Sequence, residues 1–316
     1  MAHPLLGSRL IKKPLRKARK AVNRIATVLQ AHLHKDAGIV VSEIIEGGSL
    51  GQGTCVPMKF DVDLVIFSRS ITHEMISNPD ERKEILTKVQ QCLIRRLKGN
   101  YVDDKMTQNS VQFKYKHSPG HTIDVDVLTS PMWESAGELS QYIADHCPDQ
   151  YYHLSAGASK WQTDFIRHQM PRVKEYIKRA KYWKKSIDWS PGREPSSYLM
   201  SLLVIKASDL VGEHVTGKSP PSLKKMAARN ISEKIKELVK SHHAIDIQFQ
   251  TQYMFTTEAP AQPRVIDPAN VCNNLYETGF GKQGRRDEPG DYWDVFAKKI
   301  ESLDLSIPFE RLGPLP

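Results

Sequence analysis

Residues 47–67 read GGSLGQGTCVPMKFDVDLVIF. The second half of this stretch, Phe60-Asp61-Val62-Asp63-Leu64-Val65-Ile66-Phe67, is apolar and alternating, which predicts a strand. Side chains at i and i+2 leave a strand on the same face, so the carboxylates of Asp61 and Asp63 converge. Two carboxylates so placed repel one another unless a cation lies between them. Mg²⁺ prefers a few carboxylate oxygens together with water and phosphate, which is what such a pair offers. The first half, Gly47-Gly48-Ser49-Leu50-Gly51-Gln52-Gly53-Thr54, predicts a glycine-rich turn. Gly47 and Gly48 let the backbone come close to phosphate oxygens, and Ser49 adds a hydroxyl donor. It is not a Walker loop, because no Lys-Ser/Thr follows at the required spacing.

Working outward, residues 38–46 are rich in Ile and Val and predict a strand that enters the glycine turn. Before it, residues 8–35 predict a long helix: Leu15, Ala18, Val22, Ile25 and Leu29 make one apolar stripe. Arg9, Lys12, Lys13, Arg16, Lys17, Lys20 and Arg24 recur on another face, with Pro14 expected in the first turn. After it, residues 80–98 predict a helix, and residues 110–117 and 121–129 a hairpin about Ser118-Pro119-Gly120. The second arm of the hairpin, Ile123-Asp124-Val125-Asp126-Val127-Leu128, carries a third carboxylate on a strand, Asp126. The second half predicts helices at 160–187, 196–211, 222–241 and 290–303, separated by Pro191-Gly192, Pro220-Pro221 and the long segment 257–290. The expectation is an α/β lobe over residues 1–155, with the basic N-terminal helix, and a helical lobe over 156–316.

Composition bounds the rest. Hydrophobic residues are 40% and charged residues 26% of 316, as in soluble globular proteins. No apolar run approaches the roughly 20 residues that span a bilayer. The basic N-terminus has no apolar leader, so an intracellular, cytoplasmic protein is expected, without a membrane. Cys55, Cys92, Cys147 and Cys272 are scattered without CxxC spacing, against a zinc site or a disulfide framework. The doublets His146-Cys147 and His242-His243 have no partner at ligand spacing. The net charge of +9 is compatible with a polyanionic partner without requiring one.

An Asp-x-Asp alone is usually a solvated strand face, and a Gly-Gly-Ser alone is usually a turn. Their order here, followed by a later strand Asp, is the signature of polymerase-beta-like nucleotidyltransferases. The glycine turn, Phe60–Phe67 and Val125-Asp126-Val127-Leu128 together resemble the 2′-5′-oligoadenylate synthetase family. The similarity continues through Gln162-Thr163-Asp164-Phe165, Lys181-Tyr182-Trp183 and Pro195-Ser196-Ser197-Tyr198. It ends at Pro263-Arg264-Val265-Ile266-Asp267-Pro268-Ala269-Asn270, so it spans most of the chain, from about residue 20 to residue 300. The compact length suggests a single-unit, invertebrate member.

The resemblance implies a bilobal α/β nucleotidyltransferase fold, with a mixed-sheet N-terminal lobe and a helical C-terminal lobe. It implies ATP as substrate and 2′-5′-linked oligoadenylates and pyrophosphate as products. Two Mg²⁺ ions, replaceable by Mn²⁺, would be held by Asp61, Asp63 and Asp126, with Asp126 also the base on the acceptor side. Gly48 and Ser49 would contact the donor triphosphate, and Lys178 and Lys181 would reach ATP phosphates. Tyr198, beside Ser197, would stack on an adenine. The residue types agree: lysines three apart share a helix face, and a tyrosine ring offers a base a platform.

The family's activator is double-stranded RNA, and here the pattern departs. Vertebrate members have Lys where this chain has Gln52, and Arg where it has Thr163; Arg167 keeps a basic residue one turn on. Candidate RNA contacts are therefore Arg9, Lys12, Lys13, Arg16, Lys17, Lys20, Arg24 and Arg167. Vertebrate members also have Gln before the stacking tyrosine, where this chain has Ser197; Ser-Ser-Tyr is more like cyclic GMP–AMP synthase and its relatives. A cyclic dinucleotide synthase is accordingly the alternative enzyme, and a non-catalytic RNA-binding protein on the same scaffold the alternative of another class. Retention of all three carboxylates speaks against the latter.

Overall fold

The structure is a computed structural model that describes residues 6–56, 61–118, 120–146, 151–212, 218–250, 255–281 and 289–308; of 6–13, 151–152 and 289–291 it describes the backbone alone. The chain divides into two units, Met1–Arg167 and His168–Pro316. No helix among the described residues is long and apolar enough to cross a membrane.

The first unit is built on a mixed five-stranded sheet. Its strands are β1 (Val41–Glu46), β2 (Val62–Ser68), β3 (Tyr101–Met106), β4 (Ser110–Ser118) and β5 (His121–Pro131), in the order β1-β2-β5-β4-β3. All neighbours are antiparallel except β2 and β5, which run parallel. Alternation along β2, β4 and β5 sends Val62, Leu64, Ile66, Val111, Phe113, Val125 and Val127 into the core. Two long helices, α1 (Leu6–Ala37) and α4 (Pro79–Leu97), pack on one another and on the sheet. The expected stripe of α1 is buried at Ala18, Val22, Ile25 and Leu29. Asn78 caps α4 by accepting from the backbone N–H of Asp80 at 2.9 Å, with Pro79 in the first turn. Arg96 near the end of α4 clamps Asp36 near the end of α1 with a two-pronged contact, Nε–Oδ2 2.8 Å and Nη2–Oδ1 2.6 Å. This holds the Asp36 carboxyl down at about 2. The unit is completed by α3 (His73–Ser77), α5 (Ala136–His146) and α6 (Ser159–Arg167).

The second unit is mainly helical: α7 (Pro171–Ser186), α8 (Ser197–Val211), α9 (Pro221–Lys240), α10 (Leu275–Thr278) and α11 (Pro289–Lys299). α8 packs against α7 and α9, and Leu199 to Ile205 along it are all buried. A small sheet of order β6-β7-β8 is formed by Asp246–Ile247, Arg264–Asp267 and Asn270–Asn274; β7 and β8 lie in the 257–290 segment expected only to separate helices, and β6 lies just before it. The single helix expected over 160–187 is two, α6 and α7. Pro171 opens α7 because it lacks the N–H that a continuous helix would need there.

Candidate active site

Asp63 on β2 and Asp126 on β5 are register partners across the parallel pair. Adjacent strands lie roughly 4.8 Å apart and paired residues share a face, so the two carboxylates stand side by side. Asp61 lies two residues before Asp63, immediately ahead of the first residue of β2, Val62. On the next strand Gln112 pairs with Asp126, and Lys114 pairs with Asp124. One face of the sheet is thus a polar row running Asp63–Asp126–Gln112, continued on β3 by Lys105, the partner of Gln112. Asp61, Asp63, Gln112, Asp124 and Asp126 line a cavity of about 380 Å³, together with Lys105, Lys114 and Asp103. Lys114 and Asp103 form an ion pair at 3.1 Å.

Asp126 is held by one oxygen. Gln112 Nε2 donates to its Oδ2 at 3.0 Å. Oδ1 is buried and has no hydrogen-bond partner among the described residues. A buried carboxylate oxygen without a partner costs free energy unless something satisfies it. A divalent cation ligated by Asp61, Asp63 and Asp126 would do so, and an all-oxygen donor set suits Mg²⁺ or Mn²⁺. The residues present therefore fit such an ion.

The glycine stretch is not an open turn but a single helical turn, α2 (Gly48–Gln52), that starts from an extended Gly47 and stops at a left-handed Gly53, φ 71°. Gly47 N–H donates to the Asp63 carbonyl at 2.9 Å, which fastens this turn to β2. Gly48 has φ +54°, and a Cβ there would lie 1.7 Å from Asp63 Oδ2. A side chain at this position would have to displace the Asp63 carboxylate and adopt a left-handed backbone. Ser49, the expected triphosphate contact, lies in the first turn of α2 with its Oγ 3.5 Å from Cys55 Sγ. Gly51 packs equally tightly: a Cβ there would meet the Glu46 carbonyl oxygen at 1.9 Å and the Thr163 methyl at 3.2 Å.

Gln52 and Thr163, the two departures from the vertebrate RNA-contact pattern, are both buried, at 8% and 2% exposure. Arg167 is exposed, donates from Nε to the Gly51 carbonyl at 3.1 Å and pairs with Asp164 at 3.5 Å. It therefore fastens α6 to α2. Beneath them the Glu46 carboxyl is pushed up by burial, against the opposing pull of Arg19 and Arg167. On α1, Arg16, Lys20 and Arg24 are exposed and Lys17 is half-buried. The side chains of Arg9, Lys12 and Lys13 lie outside the described residues.

The remaining expected residues belong to the second unit. Lys178 is half-buried and pairs with Glu175 at 2.7 Å; Lys181 is buried. One turn further along α7, buried Lys184 pairs with Glu194 at 2.6 Å and donates to Ser197 Oγ at 3.1 Å. Burial lowers the Lys184 ammonium pKa, and Glu194 opposes that. Tyr198 donates its hydroxyl to Asp267 Oδ1 at 2.8 Å. Asp267 is fully buried, and it also accepts from Ala269 N at 2.8 Å and Asn273 Nδ2 at 3.0 Å. The Asp267-Pro268-Ala269 segment thus fixes the orientation of the Tyr198 ring. No motif in the sequence assigns a role to that segment, to Asp124, or to Gln112, Lys114 and Lys184.

No protein-family profile matches the chain. It is similar to 2′-5′-oligoadenylate synthase 1A of Mus musculus, 22% identical over 332 residues that cover 93% of this chain and 89% of that protein. It is similar also to 2′-5′-oligoadenylate synthase 3 of Rattus norvegicus, 23% identical over 93% of this chain but only 26% of that longer protein. Among solved structures it resembles CdnC of E. coli MS115-1 with ATP, at TM-score 0.58 and 17% identity over 93% of this chain and 87% of that one. The CdnE cyclic dinucleotide synthase of Elizabethkingia meningoseptica, with GTP and Apcpp, gives TM-score 0.50 and 16% identity over 90% of each chain. The fold is that of the polymerase-beta-like nucleotidyltransferases, and the likeness in sequence is to 2′-5′-oligoadenylate synthases.

Proposed function

We propose that this protein is a template-independent nucleotidyltransferase that joins ATP into 2′-5′-linked oligoadenylates and releases pyrophosphate. The observation that carries this reading is the in-register pair Asp63–Asp126, with Asp61 beside it and the buried Oδ1 of Asp126 lacking a partner. Asp61, Asp63 and Asp126 would hold two divalent ions, which when bound supply a lowered pKa for the acceptor hydroxyl and a counter-charge for the departing pyrophosphate. Asp126, with Oδ2 tied to Gln112, presents Oδ1 as the acceptor-side ligand and proton acceptor. Gly48 gives Asp63 room, and Ser49 offers its hydroxyl to the donor triphosphate. Lys178 and Lys181 are assigned to ATP phosphates. Tyr198, its hydroxyl held by Asp267, is assigned to the adenine with Ser197 beside it. The same reading assigns the protein to innate immune or antiviral nucleic-acid sensing in the cytoplasm, and the similarity to the synthases supports it. Double-stranded RNA is the proposed activator, reached through Arg9, Lys12, Lys13, Arg16, Lys17, Lys20 and Arg24 of α1 and through Arg167.

Ser197 favours a second reading, a cyclic dinucleotide synthase, because its hydroxyl is engaged by Lys184 where the vertebrate pattern has a glutamine. One experiment separates the two. Purified protein is incubated with each NTP and Mg²⁺, with and without double-stranded RNA, and the products are digested with phosphodiesterases of known linkage preference. Linear adenylates resistant to a 3′-5′-specific enzyme support the first reading. A product without a free terminal phosphate supports the second.

A further inference from the structure

The second unit carries a group of potential metal ligands that has no part in nucleotide transfer. His242 and His243 form the turn that follows α9, and Asp294 lies on α11. One ring nitrogen of each histidine and a carboxylate oxygen of Asp294 all lie within 4.8 Å of one another. Asp294 Oδ1 is 3.0 Å from His242 Nε2 and 3.9 Å from His243 Nε2. A tetrahedral ion with arms of about 2.1 Å holds its donor atoms about 3.4 Å apart. The two histidine-to-aspartate separations bracket that value, and His243, 74% exposed, is free to turn by the fraction of an ångström required.

The cluster is positioned by its surroundings. Ser241 N–H closes α9 onto Glu237 O, and Ala244 and Ile245 N–H close the turn onto Ser241 O and His242 O. The His242 ring is buried and stacks on Trp293, with centroids 5.9 Å apart at 17°. Trp293 donates to the Tyr276 carbonyl at 2.9 Å, so it anchors α11 and sets Asp294 against the turn. The second nitrogen of His242, Nδ1, is 3.3 Å from the Tyr276 hydroxyl. A ligating histidine characteristically gives its other N–H to such a partner.

We propose that His242, His243 and Asp294 form a binding site for Zn²⁺ or a similar first-row transition ion, which clamps the turn after α9 to α11. Imidazole nitrogens select such an ion over Mg²⁺, which wants oxygen. Without the ion, Nε2–H of His242 donates to Asp294. With it, that proton passes by way of solvent to Nδ1, which donates it to the Tyr276 hydroxyl. The third ligand, Asp294, stands more than fifty residues from the histidines in the chain, so no local spacing marks the site.

The test is calorimetric titration of the full chain with Zn²⁺ in the presence of saturating Mg²⁺, for wild type, His243→Ala, Asp294→Asn and Asp126→Asn. The expected result is a zinc site in wild type and in Asp126→Asn, weakened about ten-fold or more in His243→Ala and Asp294→Asn. Zinc should also raise the Tm of wild type but not of His243→Ala, whose Tm without zinc should match that of wild type. His243 and Asp294 are exposed, so neither change threatens folding. No zinc uptake, or uptake indifferent to His243→Ala and abolished by Asp126→Asn, would overturn the proposal.

Discussion

Gly48 and Asp63 are in such close approach that a single added methyl on Gly48 would fall 1.7 Å from the carboxylate Oδ2. The pair joins the glycine stretch to the acidic strand: the turn that would receive phosphate is shaped around a carboxylate that would hold metal. Because φ at Gly48 is +54°, the backbone itself is one that L-residues rarely adopt.

Gly48→Ala should therefore displace Asp63 and cost about 1 kcal/mol or more of stability. Nucleotide incorporation should fall far more than that loss accounts for. Thermal melting alongside the rate of ATP turnover checks this. Near-wild-type turnover in a folded Gly48→Ala would show that Asp63 need not stay where it is.

Asp63→Asn and Asp126→Asn should each abolish turnover while leaving the fold intact, and in the absence of metal their Tm should equal or exceed that of wild type. Removing one of two adjacent like charges relieves repulsion. The measurement is melting in EDTA, paired with activity in Mg²⁺. A Tm several degrees below wild type would mean that the carboxylates serve the fold instead.

Gln112→Leu should leave Asp126 Oδ2 without its donor and let the carboxylate turn. The expected effect is a loss of Mg²⁺ affinity of about 10–100-fold with little change in KM for ATP at saturating Mg²⁺. Gln112→Glu should be worse, since it adds a like charge to the same row. Mg²⁺ titrations of activity distinguish this from a structural defect, which saturating metal would not rescue.

The Asp36–Arg96 clamp sets an acid limit. The Asp36 carboxyl is lowered from 3.8 to about 2, chiefly by its hydrogen bond with Arg96. Its contribution to stability is thus fully present above about pH 4 and is lost as pH falls toward 2. Asp36→Asn should be less stable than wild type at pH 6, and the gap should close on acidification through this window. Denaturant melts at a series of pH values test it; a gap that stays constant down to pH 2 would contradict the assignment.

Much of the site was legible because it is periodic. Asp61 and Asp63 announce a shared face by their spacing, and the helices α1 and α4 by their apolar stripes. Gln112 was not legible, because the hairpin register shifts between Lys116 and Ser118. Carried unshifted from the Ser118–His121 pair, that register would set Gln112 opposite Val127, on the wrong face. β3 was missed because Asp103 breaks its alternation with a positive φ of 49°. β6, β7 and β8 are too short to show a period. The roles of Asp267 and Asp294 depend on contacts distant in sequence, which no local pattern reports.

Burial of Gln52 and Thr163 bears on activation. Neither offers a charge or an exposed surface to RNA, so stimulation should depend on α1 and Arg167. Changing Arg16, Lys17, Lys20 and Arg24 to Gln should reduce RNA-stimulated turnover and flatten its salt dependence, while basal turnover is kept. Full stimulation in that variant would place the RNA contact elsewhere.

The central claim, that Asp61, Asp63 and Asp126 form a metal-dependent nucleotidyl-transfer centre, is tested most directly by pyrophosphate release. Wild type and Asp126→Asn are incubated with ATP and Mg²⁺ in the presence of double-stranded RNA, with and without EDTA. The expected result is pyrophosphate and adenylate oligomer from wild type, neither with EDTA, and neither from Asp126→Asn. Release from Asp126→Asn at the wild-type rate, or none from wild type with any NTP and either Mg²⁺ or Mn²⁺, would contradict it.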